Sequence, residues 1–176
     1  MRRIIGIILL ALVVVVAGVL GWAAMLPDDF RVQRTVVVRA PPEKVMALVA
    51  DLRGWPAWSP YEQKDPAMKR TYSGGKGKGA VYAWDGNKEV GQGRMEILEA
   101  TTSKVVIKLD FMTPFEAHNT AEFTAVPRGE NSAVTWAMYG PSPYMAKVMQ
   151  TVMDMDKMIG RDFEAGLKNL KAVAEK

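Results

Sequence analysis

The residue types that most often carry out acid–base, nucleophilic or metal chemistry are scarce in this chain. It has one histidine, His118, and no cysteine among 176 residues. A structural disulfide, a thiol nucleophile and a thiolate metal site are therefore excluded. The sequence has no Gly-x-Ser-x-Gly elbow, and the Lys-Gly-Lys-Gly run at 76–79 lacks the ending of a phosphate-binding loop. We therefore predict no catalytic constellation, no metal and no cofactor, which leaves binding as the favoured class of function.

His118 is the one conventional candidate for acid–base chemistry. It alternates with Thr120 and Glu122 on the polar side of a predicted strand. A catalytic role needs a partner within hydrogen-bond reach, and Glu116 lies on the same side. A solvent-exposed histidine on a strand is the favoured interpretation.

The aromatic and methionine residues suggest a different chemistry, which is the burial of an apolar molecule. Aromatic rings combine a large apolar area with a polar group, and methionine adapts to varied ligands. Both groups also suit an ordinary core, and for the tryptophans a core is slightly favoured. The candidate ligand-binding residues are Trp55, Trp58, Tyr82, Trp84, Trp136, Met138, Met149, Met153 and Asp156.

Asp156 belongs to this set because it interrupts the apolar face of a predicted helix. A carboxylate on such a face needs a partner or the wet edge of a cavity. The partners considered are Arg94, Lys108 and Tyr82, with the carboxylate binding a ligand's polar group. A solvent-exposed residue at the edge of the helix face is the favoured alternative.

The elements that would position these residues begin with an apolar stretch. Residues 4–26 carry no charge, and as a helix they would cross a hydrocarbon core of roughly 30 Å. Arg2 and Arg3 precede the stretch, so the positive-inside rule places the N-terminus in the cytoplasm. We predict a single-pass membrane anchor at 1–27 and an extracytoplasmic domain, periplasmic or on the cell surface, at 28–176. A cleaved signal peptide is the alternative, but its apolar region is normally shorter.

The charge balance of the rest of the chain argues against nucleic-acid binding. Without Arg2 and Arg3, 21 Lys and Arg residues face 19 Asp and Glu residues. No basic stripe stands out, so we predict no nucleic-acid partner. The sequence does not identify a protein partner.

Hydrophobic periodicity then predicts the architecture. Residues 30–39 read as a strand, and Pro42 begins a helix with an apolar stripe. Short strands separated by turns follow up to about residue 139, as expected for an antiparallel meander. From Ser142 to about residue 174 the period changes to 3.6, which predicts one long C-terminal helix. The fold class is α+β, and a cavity is expected between helix and sheet.

Two motifs at opposite ends of residues 30–174 are similar to those of a known superfamily. The first is Ala40-Pro41-Pro42-Glu43-Lys44-Val45, followed by Val49-x-Asp51-Leu52 and Trp55-Pro56-x-Trp58-Ser59-Pro60. The second is Gly160-x-Asp162-Phe163-x-x-Gly166-Leu167-x-Asn169-Leu170-Lys171. They resemble the START-like, or SRPBCC, superfamily, and within it the polyketide cyclase/dehydrase-like lipid-transport group.

The resemblance implies a helix-grip fold, in which a curved antiparallel sheet of about six to seven strands wraps around a long C-terminal helix. It also implies a deep apolar cavity and a hydrophobic small molecule or lipid as partner. Because the superfamily contains binders, carriers and enzymes, the motifs specify fold more than function. We predict membrane-tethered binding, with a cyclase/dehydrase-like enzyme or an envelope protein-interaction module as alternatives.

Overall fold

The computed structural model describes residues 2–176, so Met1, the first residue of the predicted anchor, lies outside the described residues. The helices are α1 (Arg2–Met25), α2 (Pro42–Val49), α3 (Pro60–Lys64), α4 (Tyr144–Val152) and α5 (Met155–Ala174), with a 3-10 helix at Leu52–Ala57. The strands are β1 (Asp29–Val38), β2 (Lys69–Ser73), β3 (Val81–Asp85), β4 (Gln92–Ala100), β5 (Lys104–Thr113), β6 (Ala117–Arg128) and β7 (Asn131–Pro141).

All seven strands form one antiparallel sheet in the order β1-β7-β6-β5-β4-β3-β2. Strands β2 to β7 pair consecutively, and β1 closes on the far side of β7. Two irregularities in the β4–β5 pairing, at Gln92/Gly93 and Ile97/Glu99, add the local twist that bulges produce. The curved sheet and its C-terminal helix confirm the predicted α+β helix-grip fold.

Helix α5 covers one face of the sheet and lies mainly on β1. Its residues Phe163, Leu167 and Leu170 are fully buried, as a 3.6-residue period predicts for a core-facing stripe. Alternate residues of the strands meet them from the other side, so the core lies between the sheet and α5. The short helices α2 and α3 close the sides of this interior.

The C-terminal segment differs from the prediction of one continuous helix. Met153 has an extended backbone, with φ −122° and ψ 129°, and it separates α4 from α5. The Asp154 carboxylate then accepts a hydrogen bond from the backbone N–H of Lys157 at 2.9 Å, which begins α5 with an ordinary N-cap. Helix α4 therefore turns away from the sheet and packs against α1.

Helix α1 is about 36 Å long at 1.5 Å per residue. Its apolar side chains are largely exposed, and residues 3–25 are long and apolar enough to cross a membrane. An N-terminal signal sequence has the same character. One hydrogen bond joins the end of α1 to α4, because the Tyr144 hydroxyl donates to the Leu20 carbonyl at 2.9 Å. A second joins α4 to the residues that follow α1, because the Lys147 ammonium donates to the Asp28 carboxylate at 2.5 Å.

We expect Gly166→Ala to destabilise the fold, because a methyl group at this position has no room. It would lie 2.6 Å from the Trp136 ring and 2.9 Å from Cδ of Pro60. Overpacking of this kind costs about 1–3 kcal/mol, which outweighs the gain of about 1 kcal/mol in helix propensity. Urea unfolding of the full chain in mild detergent, followed by tryptophan fluorescence, measures the change.

Gly160→Ala is the matched control for this prediction, since Gly160 lies in the same helix and is also buried. There the new methyl group meets the guanidinium of Arg34, which is the far end of a long side chain whose partners Asp156 and Glu164 are both largely exposed, so it can shift more readily than the Trp136 ring. We expect a smaller loss than for Gly166→Ala. Equal stability of the Gly166→Ala variant and the wild type would show that α5 is not tightly packed at this point.

Candidate functional site

The interior between sheet and α5 is built around Trp136 of β7. Its ring stacks on Phe163 of α5 at 4.2 Å and on Phe123 of β6 at 4.8 Å between centroids. Trp58 meets the Trp136 ring edge-to-face at 5.9 Å. Trp55 packs on Trp58 at 4.8 Å. The 3-10 segment after α2 thus inserts two indole rings between the sheet and the helix.

Two of these indoles have an unusual polar feature. The side-chain N–H groups of Trp58 and Trp136 are the buried side-chain polar atoms that lack a hydrogen-bond partner within residues 2–176. The residues are 1% and 3% exposed. By contrast, Trp55 donates to the Val49 carbonyl at 2.9 Å. A buried donor without an acceptor costs about 1–3 kcal/mol, so this place favours a molecule that supplies an oxygen atom.

A second buried polar group lies towards the β2 edge of the same interior. The Glu62 carboxylate accepts a hydrogen bond from the Tyr82 hydroxyl and another from Nε of Arg70, both at 2.7 Å. Tyr82 in turn stacks on Tyr72 at 4.9 Å. Burial and the bond to Glu62 raise the pKa of Tyr82, so its hydroxyl remains a donor at neutral pH. Both carboxylate oxygens are therefore occupied. Because Glu62 lies on α3 and its partners lie on β2 and β3, the cluster fixes α3 on the sheet.

The burial of the interior is uneven along the strands. At the C-terminal end of α5, residues such as Val38, Val134 and Leu170 are completely buried. At the opposite end, Phe30, Leu109, Phe111 and Ile159 are only partly buried. This second end, where β1 begins and β7 ends, also receives the C-terminus of α1. The interior is therefore least covered beside the apolar helix.

The structure brings six of the nine predicted ligand-binding residues together. The side chains that contribute to this shared core are those of Trp55, Trp58, Tyr82, Trp84, Trp136 and Met138. Met149 and Met153 are separated from them because the break at Met153 moves α4 away from the sheet, whereas Asp156 lies in the first turn of α5 and is mostly exposed. Met149 and Met153 are exposed at the junction of α4 and α5. There Met153 and Asp156 line an open surface pocket of about 450 Å³.

The partners considered for Asp156 were wrong. Its carboxylate receives two hydrogen bonds from the Arg34 guanidinium, at 2.8 and 3.1 Å. The bonds from Arg34 lower the pKa of Asp156. Arg34 lies on β1, and Gly160 gives its guanidinium room to cross α5. The Asp156 side chain is mostly exposed. It therefore lies at the solvent-exposed edge of the helix face, which was the favoured alternative.

Two residues that shape the site were not identified from the sequence. Arg34 falls within the predicted strand at 30–39, and Glu62 follows the aromatic segment that ends at Tyr61. A positive charge at an otherwise inward-facing position of β1 was the available signal for Arg34. No local pattern indicates Glu62, because its partners Arg70 and Tyr82 come from two later strands.

His118 lies outside this interior, on the exposed side of β6, as predicted. Its Nδ1 is 2.7 Å from the Asp110 carboxylate, and its Nε2 is 3.3 Å from Glu116. The hydrogen bond to Asp110 raises the pKa of His118. Within residues 2–176, no three His, Asp or Glu side chains are arranged to hold a metal ion.

We expect His118 to titrate above its usual pKa of about 6.5. NMR follows this directly, because the chain has one imidazole. Asp110→Asn should return the pKa towards the usual value, and Glu116→Gln should lower it less, since Asp110 is the stronger influence. The raised pKa adds stability that is fully present below about pH 6.5 and is lost as the pH rises through the folded-state pKa. An unchanged pKa in Asp110→Asn would contradict the observed pairing.

The architecture and the apolar interior together define a START-like, helix-grip protein. The chain belongs to the family described as polyketide cyclase / dehydrase and lipid transport, whose sequence model matches residues 29–175. This confirms the resemblance inferred from the two motifs. Comparison with curated proteins finds none that matches the sequence.

Solved structures show the same fold at low sequence identity. The KanY protein is 19% identical, with a TM-score of 0.65, over 85% of this chain and all of that one. A protein of Thermobifida fusca is 23% identical, with a TM-score of 0.60, over 82% of this chain and 92% of that one. The di-domain ARO/CYC StfQ of the steffimycin biosynthetic pathway is 13% identical, with a TM-score of 0.60, over 84% of this chain and 50% of that one.

Proposed function

We propose that residues 28–176 bind an apolar small molecule or lipid between the sheet and α5, and that residues 4–26 hold this domain at a membrane. The observation that carries the proposal is the pair of unpartnered indole N–H groups, on Trp58 and Trp136, in an apolar interior. A ligand with a carbonyl, ester or hydroxyl oxygen would recover about 1 kcal/mol for each hydrogen bond formed.

The apolar part of such a ligand would extend towards the less covered end of the interior. Phe30, Leu109 and Phe111 are partly buried there, and Trp84 packs on Phe111 at 5.8 Å. Each Å² of apolar surface removed from water contributes about 25 cal/mol before ordering costs. Because the rings around Trp136 are in contact, ligand binding requires part of this cluster to repack.

The membrane attachment is supported by the length of α1 and by the exposure of its apolar side chains. With Arg2 and Arg3 on the cytoplasmic side, the domain would be extracytoplasmic. An intact mass near 19.4 kDa for protein purified from membranes would support a retained anchor. Loss of a signal-peptide-sized segment of about 15–30 residues would contradict it.

An enzyme of the cyclase or dehydrase kind has less support. Its interior acid would be Glu62, whose two oxygens already accept hydrogen bonds from Tyr82 and Arg70. His118 lies on the exposed side of the sheet, and Asp156 is paired with Arg34 at the surface. Glu62, His118 and Asp156 therefore do not meet in one place.

Native mass spectrometry of the full chain in mild detergent tests the binding function. We expect an apolar adduct on the wild type, which is lost when Trp58 and Trp136 are both replaced by phenylalanine. Trp55→Phe is the matched control, because Trp55 belongs to the same cluster but its N–H already has an acceptor. Adduct-free wild-type protein would instead favour an interaction module of the cell envelope.

A pair of defined probes then tests the hydrogen bond itself. A long-chain methyl ketone should bind more tightly than the alkane of the same length, by about fivefold for a bond worth about 1 kcal/mol. The double Phe variant should abolish this preference, whereas Trp55→Phe should keep it. Equal affinities of the wild type for ketone and alkane would show that the indoles do not contact the ligand.

A further inference from the structure

Helix α4 presents an apolar face that nothing in the domain covers. Met145, Met149 and Val152 follow the spacing i, i+4, i+7 and therefore lie on one side of the helix. They are 70%, 43% and 76% exposed. The one charged side chain of α4, that of Lys147, is buried against Asp28 on another side.

The β5–β6 turn carries similar residues at the same end of the sheet. Phe115 is 72% exposed, and Met112, near the end of β5, is also exposed. The pairing of Phe30 with Gly140 and of Phe111 with Ala117 places this turn at the end where β1 begins and β7 ends. We call Met112, Phe115, Met145, Met149 and Val152 the apolar rim.

The contacts of α4 with α1 set the position of the rim relative to the apolar helix. The Tyr144 hydroxyl donates a hydrogen bond to the carbonyl of Leu20. Leu20 precedes the end of the apolar stretch by six residues, or about 9 Å along the helix axis. Interfacial amphipathic helices bury their apolar face by about 5–10 Å. Trp22 and Tyr144 are residues typical of the membrane–water boundary.

We propose that the apolar rim lies in the interfacial layer of the bilayer that α1 crosses, so that the interior opens towards lipid instead of water. This inference rests on the proposed membrane anchor. It explains why the less buried residues Phe30, Leu109 and Phe111 lie at the end nearest α1. The occupant of the rim is the lipid surface, and an apolar ligand would reach the interior directly from it.

Site-directed spin labelling of the full chain tests the position of the rim. The chain has no cysteine, so single substitutions give unique labelling sites. The protein is reconstituted in vesicles of phosphatidylethanolamine and phosphatidylglycerol, with labels at Met149→Cys and Phe115→Cys. Matched controls are Ser103→Cys and Glu130→Cys, exposed in turns at the opposite end of the sheet. A label at Val14→Cys reports on the anchor.

For each label we compare the rate of collisions with oxygen to the rate of collisions with a water-soluble nickel chelate. We expect this ratio to be several-fold higher at positions 115 and 149 than at positions 103 and 130. Equal ratios at all four positions, with position 14 in lipid, would overturn this inference and leave the anchor intact. Dipolar coupling between labels would also overturn it, because a second copy would then cover the rim. A water-exposed label at position 14 would overturn the anchor and the rim together.

Discussion

Replacing Trp136 by alanine is expected to lower the free energy of unfolding by about 3–5 kcal/mol. The ring of Trp136 lies between Phe123 of β6 and Phe163 of α5, and it also contacts Trp58. Its removal leaves a cavity where the sheet, α5 and the 3-10 segment meet. The neighbouring rings belong to three different elements, so they cannot collapse together into the space. Urea unfolding of the full chain in detergent measures the loss.

Trp136→Phe is the control that separates the packing role of this residue from its polar role. Phenylalanine keeps most of the stacking on Phe123 and Phe163 and removes the N–H that has no partner. Phenylalanine is smaller than tryptophan, so some packing is lost, but the cost should stay below the roughly 3–5 kcal/mol expected for alanine, and the loss of an unsatisfied donor offsets part of it. A loss as large as that of Trp136→Ala would show that the N–H has a partner in solution.

The same comparison connects stability with binding. If a ligand oxygen accepts from Trp136, the Phe variant should lose ligand affinity while keeping its fold. If a bound water accepts instead, the Phe variant should lose stability while its ligand affinity changes little. Measuring both the stability and the ligand affinity of Trp136→Phe therefore shows whether Trp136 only fills the core or also contacts the ligand.

The strands and their order follow from local patterns. Alternation of apolar residues and short Gly-containing turns specify an antiparallel meander, and each predicted strand corresponds to one of β1 to β7. The apolar stretch before β1 likewise required a helix. These features depend on near neighbours in the chain, so the sequence alone sufficed to predict them.

The candidate site was predictable only in part, because its geometry depends on distant residues. A 3.6-residue period continued through Met153, yet the capping side chain of Asp154 and the packing of α4 on α1 divide the helix. This break separates Met149 and Met153 from Trp136. The pairing of Arg34 with Asp156 joins residues 122 positions apart, which no periodicity encodes.

The buried carboxylate of Glu62 leads to a second large expected effect. Glu62→Ala should lower the free energy of unfolding by about 3 kcal/mol, because the removal of one partner leaves buried groups unpaired. The Tyr82 hydroxyl would lose its oxygen acceptor. Arg70 would retain only backbone carbonyls, including that of Met68 at 2.8 Å. Urea unfolding again provides the measurement.

Two further variants show whether charge or shape matters at this position. Glu62→Gln retains an oxygen for Tyr82 or Arg70 and should fall between Glu62→Ala and the wild type. Glu96→Ala, on the same sheet, removes a pair with Arg94 whose side chains are about one-third exposed, and such pairs contribute about 0–1 kcal/mol. If Glu62→Ala were as mild as Glu96→Ala, water would be replacing the carboxylate.

The position of Glu62 gives this prediction a consequence for the binding site. Helix α3 is held on the sheet by Glu62 and on α5 by the ion pair of Lys64 with Asp162 at 2.6 Å. Loss of Glu62 removes the sheet contact and keeps the α5 contact. Because Pro60 and Tyr61 of the same helix lie near Gly166 and Trp136, a loosened α3 would uncover the aromatic interior from the side. Ligand retention should then fall in Glu62→Ala even where the fold persists, and it should remain in Glu96→Ala.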